Sequence, residues 1–201
     1  KPPPNHQIGA APAFSAMTLS HINWFRQMVG SPKVSFDPAL SDQSQAAALV
    51  MAANESLSHY PPNDWECWSS TAYTGAGNSN ISLAFDWSFG VFIGDQTASY
   101  MMDAGDNNRA VGHRNWILLP AVRPFGFGAV YTDLVAATAM WVTGSGPDTD
   151  DFVMWPAEGY VPDRVIFPRW NLAYDGNADF SGATVSMTTN GQPIPVEVIS
   201  R

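Results

Sequence analysis

A single cysteine, Cys67, is the first constraint on this chain. It excludes an intrachain disulfide and any cysteine-based metal site. Set between Glu66 and Trp68, a lone thiol reads as a small, partly buried hydrophobe. Charge is also scarce: Asp, Glu, Lys and Arg make up 13% of the residues, about half the usual share. Eighteen acidic residues stand against nine basic ones, and the net charge of −9 argues against nucleic acid or an anionic membrane as partner. No apolar run approaches the roughly 18 residues that a spanning helix needs. A charged-then-apolar leader is missing too, and the Lys1-Pro2-Pro3-Pro4 opening reads as the exposed end of a processed or trimmed chain. Low Lys content and a polar, uncharged surface suit a secreted protein, although one cysteine is no positive sign of an oxidising compartment.

Short catalytic signatures are missing as well: His-Glu-x-x-His, Gly-x-Ser-x-Gly and a phosphate-binding Gly loop with Lys. Asp175-Gly-Asn177-Ala-Asp179 spaces its oxygens like a calcium loop. Phe180, however, stands where the sharp turn needs Gly, and Ser186 where a Glu should close the loop. Asn54-Glu-Ser56 and Asn80-Ile-Ser82 fit the glycosylation acceptor pattern, which arises often by chance.

What is present is apolar and aromatic. Hydrophobic residues reach 45%, with 8 Trp, 11 Phe and 6 Tyr, and 201 residues suffice for one substantial domain with an appendage. Residues 1–17 are Pro-rich and read as an extended lead. Leu19, Ile22, Phe25, Met28 and Val29 then recur at helical spacing, with Thr18 as N-cap and Gly30 as stop. Asp37 as cap and Pro38 at the first helical position start an Ala-rich helix predicted to reach about Ser58, with Leu40, Ala47, Val50, Asn54 and Leu57 on one side. Residues 60–80 read as a long loop pinned by Tyr60, Trp65, Trp68 and Tyr73. A third helix is expected over Ser82–Met102, and a buried strand over Trp116–Leu119.

Phe125–Tyr131 and Val135–Val142 read as an antiparallel hairpin, and residues 144–151 as a boundary. Beyond it, Ala183–Thr189 and Gln192–Ile199 flank Asn190-Gly191, which fits a type I′ turn. The organisation expected is an extended segment 1–17, a main domain 18–150, and a β-rich extension 151–201 that stops inside, or just after, a small β unit. No internal repeat is evident.

The densest polar chemistry lies in Tyr100–Pro120, where Asp103, His113 and Arg114 flank a Gly/Asn/Asp loop. His59 follows the long helix, while His6 and His21 read as surface residues. Two His with one or two carboxylates suit Zn²⁺ binding or general acid–base chemistry. Spacing alone does not assemble His59, Asp103 and His113 into one site.

Taken in order, several segments resemble the CAP superfamily, the secreted fold shared by cysteine-rich secretory proteins, venom antigens and pathogenesis-related proteins. They are Ile22-Asn-Trp-Phe-Arg26, Val34-Ser-Phe-Asp37-Pro38-Ala39-Leu40, Leu57-Ser-His59, Gly77-Asn-Ser79-Asn80-Ile81, Tyr100-Met-Met-Asp103, and Gly112-His113-Arg114 through Pro120 with Phe125-Gly-Phe-Gly128. The last is similar to the bacterial form of the motif. The resemblance spans about residues 18–143 and implies an α+β fold, a CAP-like α-β-α sandwich with a central antiparallel sheet, to which a C-terminal β extension is added.

It also implies a cleft tetrad. His59, Asp103 and His113 take family positions, with Asp103 replacing a Glu, and Ser79 stands where the family has its other Glu. Some members hold zinc there. Serine is a poor zinc ligand, so the implied zinc site on His59 and His113 is weakened. The expectation is a secreted, extracellular binding protein whose cleft faces a small apolar ligand (lipid or sterol), a cell-wall component or a protein. One alternative is a metal-assisted or Ser/His/Asp hydrolase using Ser79, His113 and Asp103. The other is a surface or assembly module acting through residues 151–201.

Overall fold

The computed structural model describes residues 7–8, 12–85, 89–121, 123–132, 134–144, 146 and 149–199. After a two-residue strand β1 (Gln7–Ile8), helix α1 spans Pro12–Met28 and begins well before the predicted Thr18 cap. Thr18 is buried inside it. A tertiary contact overrides the Pro/Ala lead: Phe14 sets its ring edge-on against Phe127 and Tyr131. Helix α2 (Pro38–Ala53) starts as its sequence dictates, with the Asp37 carboxylate accepting the Leu40 N–H and Pro38 in the first turn.

α2 stops short of Ser58 because Asn54 turns its carboxamide back. Nδ2 donates to Val50 O and Glu66 O, while Oδ1 accepts the Glu66 N–H. Leu57 thus falls outside the helix and is exposed. Of the two glycosylation tripeptides, Asn80 is buried, and the Asn54 carboxamide is engaged in hydrogen bonds.

The stretch expected as a loop contains a helix, α3 (Ser70–Gly77), capped by Ser69 Oγ accepting the Ala72 N–H. Strand β2 (Ser79–Phe85) follows, then α4 (Phe89–Met102), so the first four residues of the helix expected over Ser82–Met102 are strand and it starts at Phe89. The period there is two: Ile81 packs toward α2, and Asn80 and Ser82 bond on the opposite face. The strand expected over Trp116–Leu119 is helical, part of α5 (Gly112–Leu118). Arg114, Ile117 and Leu118 are its buried residues, a one-sided helical spacing rather than an alternation.

Strands β3 (Gly126–Tyr131) and β4 (Val135–Trp141) pair as the expected antiparallel hairpin. The main sheet runs β1-β3-β4-β2, antiparallel throughout. One face is built from small residues, Ala137 and Ala139 with Val130 and Ile81, under Ala47, Val50 and Met51 of α2. A Cβ on Gly128 would collide with the Ser44–Gln45 backbone, so glycine there permits the close approach. Gln45 completes that seam by bonding both the N–H and C=O of Ala129. The other face, with Phe127, Tyr131 and Met140, packs Phe14, Ile22, Tyr100, Met101 and Leu118. This is the α-β-α sandwich that the resemblance implies.

Strands β5 (Asp151–Trp155) and β6 (Asn171–Asp175) form a hairpin whose Trp155 is fully buried between Phe25 and Phe167. The segment after residue 150 thus shares the core on the α1 side. The Asn190-Gly191 turn joins β7 (Met187–Thr189) to β8 (Gln192–Ile194), shorter arms than expected, with φ of 49° and 76° as a type I′ turn requires. Among the described residues no helix is long and apolar enough to cross a membrane.

Candidate functional site

Asp103 ends α4 in the left-handed region (φ 51°), a conformation that Asp tolerates better than most residues. That turn aims its carboxylate at the start of α5. The N-cap position of α5 is Val111, which has no side-chain oxygen to offer the first amides. Asp103 supplies one from across the loop. Its Oδ2 accepts the His113 N–H at 2.9 Å and, more weakly, the Arg114 N–H at 3.4 Å.

Oδ1 lies 2.6 Å from His113 Nδ1. Facing an acceptor carboxylate, Nδ1 carries the ring proton, and in the neutral ring Nε2 keeps a lone pair. The Asp103 side chain is fully buried, while that of His113 is 24% exposed. Site chemistry is therefore presented through the imidazole.

A buried network stands behind the ring. Tyr100 lies 5.5 Å from it, centroid to centroid, and donates its hydroxyl to Asn80 O. Asn80 Nδ2 in turn donates to His113 O at 3.1 Å. Gln96 Nε2 donates to Thr138 Oγ1 and Ser82 Oγ, which lie 3.1 Å apart. Burial pushes the Tyr100 hydroxyl up to about 12, with hydrogen bonds from Thr138, Ser82 and Gln96 partly opposing it, so it remains a neutral donor near pH 7.

Two buried arginines hold the neighbouring backbone. Arg114 donates from Nε to Met101 O (2.5 Å) and from Nη2 to Met102 O (3.3 Å), satisfying carbonyls at the C-terminus of α4. Its Nη1 reaches Arg169 O and Asn171 Oδ1, both at 2.7 Å. Arg26 bonds Ile117 O and Leu119 O at the far end of α5. Burial lowers both guanidinium groups to about 10, with Asp103 opposing the shift at Arg114 and Asp175 at Arg26. Both remain charged at neutral pH.

The other two tetrad residues are placed differently. His59 lies on the surface beyond α2, with Nδ1 2.9 Å from Ala76 O and its ring 6.5 Å from that of Tyr60. Ser79 shares the strand parity of Ile81, opposite to Asn80, and its Oγ is buried with no hydrogen-bond partner among the described residues. The structure therefore joins Asp103 to His113 but hydrogen-bonds neither His59 nor Ser79 to that pair. The Ser79–His113–Asp103 relay considered from the sequence is not formed. Zinc fares no better on these donors. Both Asp103 oxygens are engaged, and no group of three or more His, Cys, Asp or Glu suited to a metal occurs among the described residues. A surface groove along the outer side of α1, lined by Leu19, Asn23, Trp24 and Lys33 among others, shares no residue with this site.

Sequence reasoning missed the supporting roles of Asn80, Gln96, Thr138, Arg169 and Asn171. Arg169 and Asn171 contact Arg114 across 55 and 57 residues of chain, and no local pattern announces such a contact.

An α-β-α sandwich that displays a carboxylate-held imidazole on a short helix, with a buried arginine beside it, defines the class of protein. A sequence model of the cysteine-rich secretory protein family, CAP, matches residues 19–143, more than half of the chain, and the chain belongs to that family. Among curated proteins no sequence matches it. The family match ends before β5, so Arg169 and Asn171 lie beyond it.

Proposed function

We propose that the protein is a secreted, non-hydrolytic CAP-family binding protein that recognises a small amphipathic ligand, a lipid or sterol, through His113. The observation that carries this reading is the dyad. Asp103 locks Nδ1, Nε2 is left to bond a ligand hydroxyl or carboxyl group, and the Ser79 hydroxyl is buried with no hydrogen bond to activate it as a nucleophile. Trp116 sits one turn along α5 from His113 and is 39% exposed, and Met102, next to Asp103, is 42% exposed. These provide apolar surface beside a polar anchor, the combination that an amphipathic ligand requires.

The test is a titration with a sterol and with a long-chain fatty acid, followed by tryptophan fluorescence, on the parent, His113→Ala and Trp116→Ala. Saturable binding weakened tenfold or more in both variants is the expected result. Absence of binding to the parent, or variants that bind equally well, would sink the reading and turn the search to cell-wall components and protein partners.

One feature favours a second reading: a carboxylate-oriented imidazole is also half of a general-base device. A hydrolase of this kind would act on water rather than through Ser79. Zinc calorimetry at neutral pH on the parent and on the His59→Ala/His113→Ala double variant separates the two. Heat that disappears in the double variant would raise the hydrolase reading, and no heat from a folded parent would remove its metal-assisted form.

A further inference from the structure

The loop between α4 and α5, which sets the Asp103–His113 geometry, is exposed along Ala104–Asn107. Its internal hydrogen bonds are short-range: Asn108 N–H to Gly105 O, Val111 N–H to Asn108 O and Asn108 Nδ2 to Ala104 O. A loop of this kind does not by itself hold a carboxylate in one place. Besides the α5 groups that bond the carboxylate, residues beyond the family match brace the backbone of the turn. Arg169 Nη1 donates to Asp103 O at 2.9 Å and to Asn108 O at 3.1 Å, bridging the start and the middle of the loop with one nitrogen. The Arg169 carbonyl then accepts from Arg114 Nη1, and Asn171 accepts from Arg114 and donates through Nδ2 to Asn115 Oδ1 on α5. Asn171 begins β6, where it pairs with Trp155, and Trp155 is fully buried in the core. The brace is thus anchored to a rigid point.

We propose that Arg169 and Asn171 are positioning residues for His113: the β5–β6 segment fixes the Asp103 turn, and through it the Nδ1-protonated tautomer that leaves Nε2 facing outward. The functional meaning of this brace rests on the reading of His113 as the recognising group. Its mechanism does not. An Asp in the left-handed region at a helix end has several competing conformations, and the two bonds to its loop select one of them. Because a single nitrogen makes both bonds, an ammonium in place of the guanidinium should partly restore the selection, whereas an alanine cannot.

The test reads the imidazole itself. Full-length protein carrying ¹⁵N-histidine is examined by long-range ¹H–¹⁵N correlation in mildly alkaline buffer, with His113 assigned from the spectrum of His113→Ala. The parent should show the Nδ1–H pattern. Arg169→Ala should lose it for the Nε2–H or averaged pattern typical of unrestrained imidazole, and Arg169→Lys should regain part of it. Arg164→Ala, an exposed arginine of the same segment, should match the parent. A folded Arg169→Ala that keeps the parent tautomer overturns the proposal.

Should Arg169→Ala not fold, native-state hydrogen exchange on the parent decides. A His113 amide that opens together with the β5–β6 amides supports the brace, and one that exchanges freely while β5–β6 stays protected overturns it. Failure of lipid binding alongside a tautomer change would sink the functional reading and leave the positioning role standing.

Discussion

Two histidines of this chain each have a tyrosine as ring neighbour, and the two pairs behave oppositely. His113 lies 5.5 Å from Tyr100, which is buried and bonded to Asn80 O. His59 lies 6.5 Å from Tyr60, which is 67% exposed. The residue types are alike, so the difference comes from their ties. His113 is held at Nδ1, at its N–H and at its carbonyl. Among the described residues, His59 is tied by one hydrogen bond, from Nδ1 to the Ala76 carbonyl of α3. An imidazole held at three points presents its remaining nitrogen in one direction, whereas a singly tied one samples many. Oriented chemistry therefore belongs to the His113 side.

Substitutions on the two sides should differ several-fold in cost. Asp103→Ala should cost the most, roughly 3 kcal/mol in urea unfolding, because it strips a buried acceptor from three donors and places alanine in a left-handed turn. A loss below about 1 kcal/mol would mean that water replaces the carboxylate and that the His113 side is no more constrained than the other.

Tyr100→Phe should cost about 1 kcal/mol near neutral pH, the ordinary value of a buried hydrogen bond, and it carries a pH signature. Burial pushes the hydroxyl up to about 12 from its ordinary 10.0, so the folded protein retains a proton that the unfolded chain releases. Stability from this group is complete below pH 10 and is lost as pH rises toward 12. Alkaline unfolding curves should flatten in that window in the variant. Equal slopes for parent and Tyr100→Phe would contradict the buried placement. His59→Ala should be the smallest, within about 0.5 kcal/mol by thermal melting. A larger loss would show that the surface histidine carries structural weight and would narrow the contrast.

Local chemistry made some elements readable in advance. Asp37 and Pro38 start α2 because an acceptor side chain and a fixed φ suit a helix start in any context. Asn190-Gly191 makes its turn because both residues accept positive φ. The failures share a cause. Ser82–Phe85 belongs to a strand and Trp116–Leu118 to a helix because of what lies across the core, and short apolar runs suit either state. α2 ends early because of Asn54 bonds to Glu66, twelve residues ahead. Within the candidate site, Asp103 and His113 were readable as a nearby pair at the ends of a Gly/Asn/Asp loop. The separate fates of Ser79 and His59 were not, since strand parity and the position of α3 set them.

Residue types and their order were enough to determine the family, the Asp37 cap of α2, the central hairpin and the absence of intrachain disulfides, because each depends on identities or on contacts between near neighbours. Folding in three dimensions decided which polar groups meet. The bonds from Arg169 and Asn171 to the α4–α5 region span more than fifty residues, and Tyr100, Asn80 and His113 meet through side chains on separate elements. A hydrogen bond acts over about 3 Å, and only the packing of the sheet, α4, α5 and the β5–β6 hairpin brings those atoms so close.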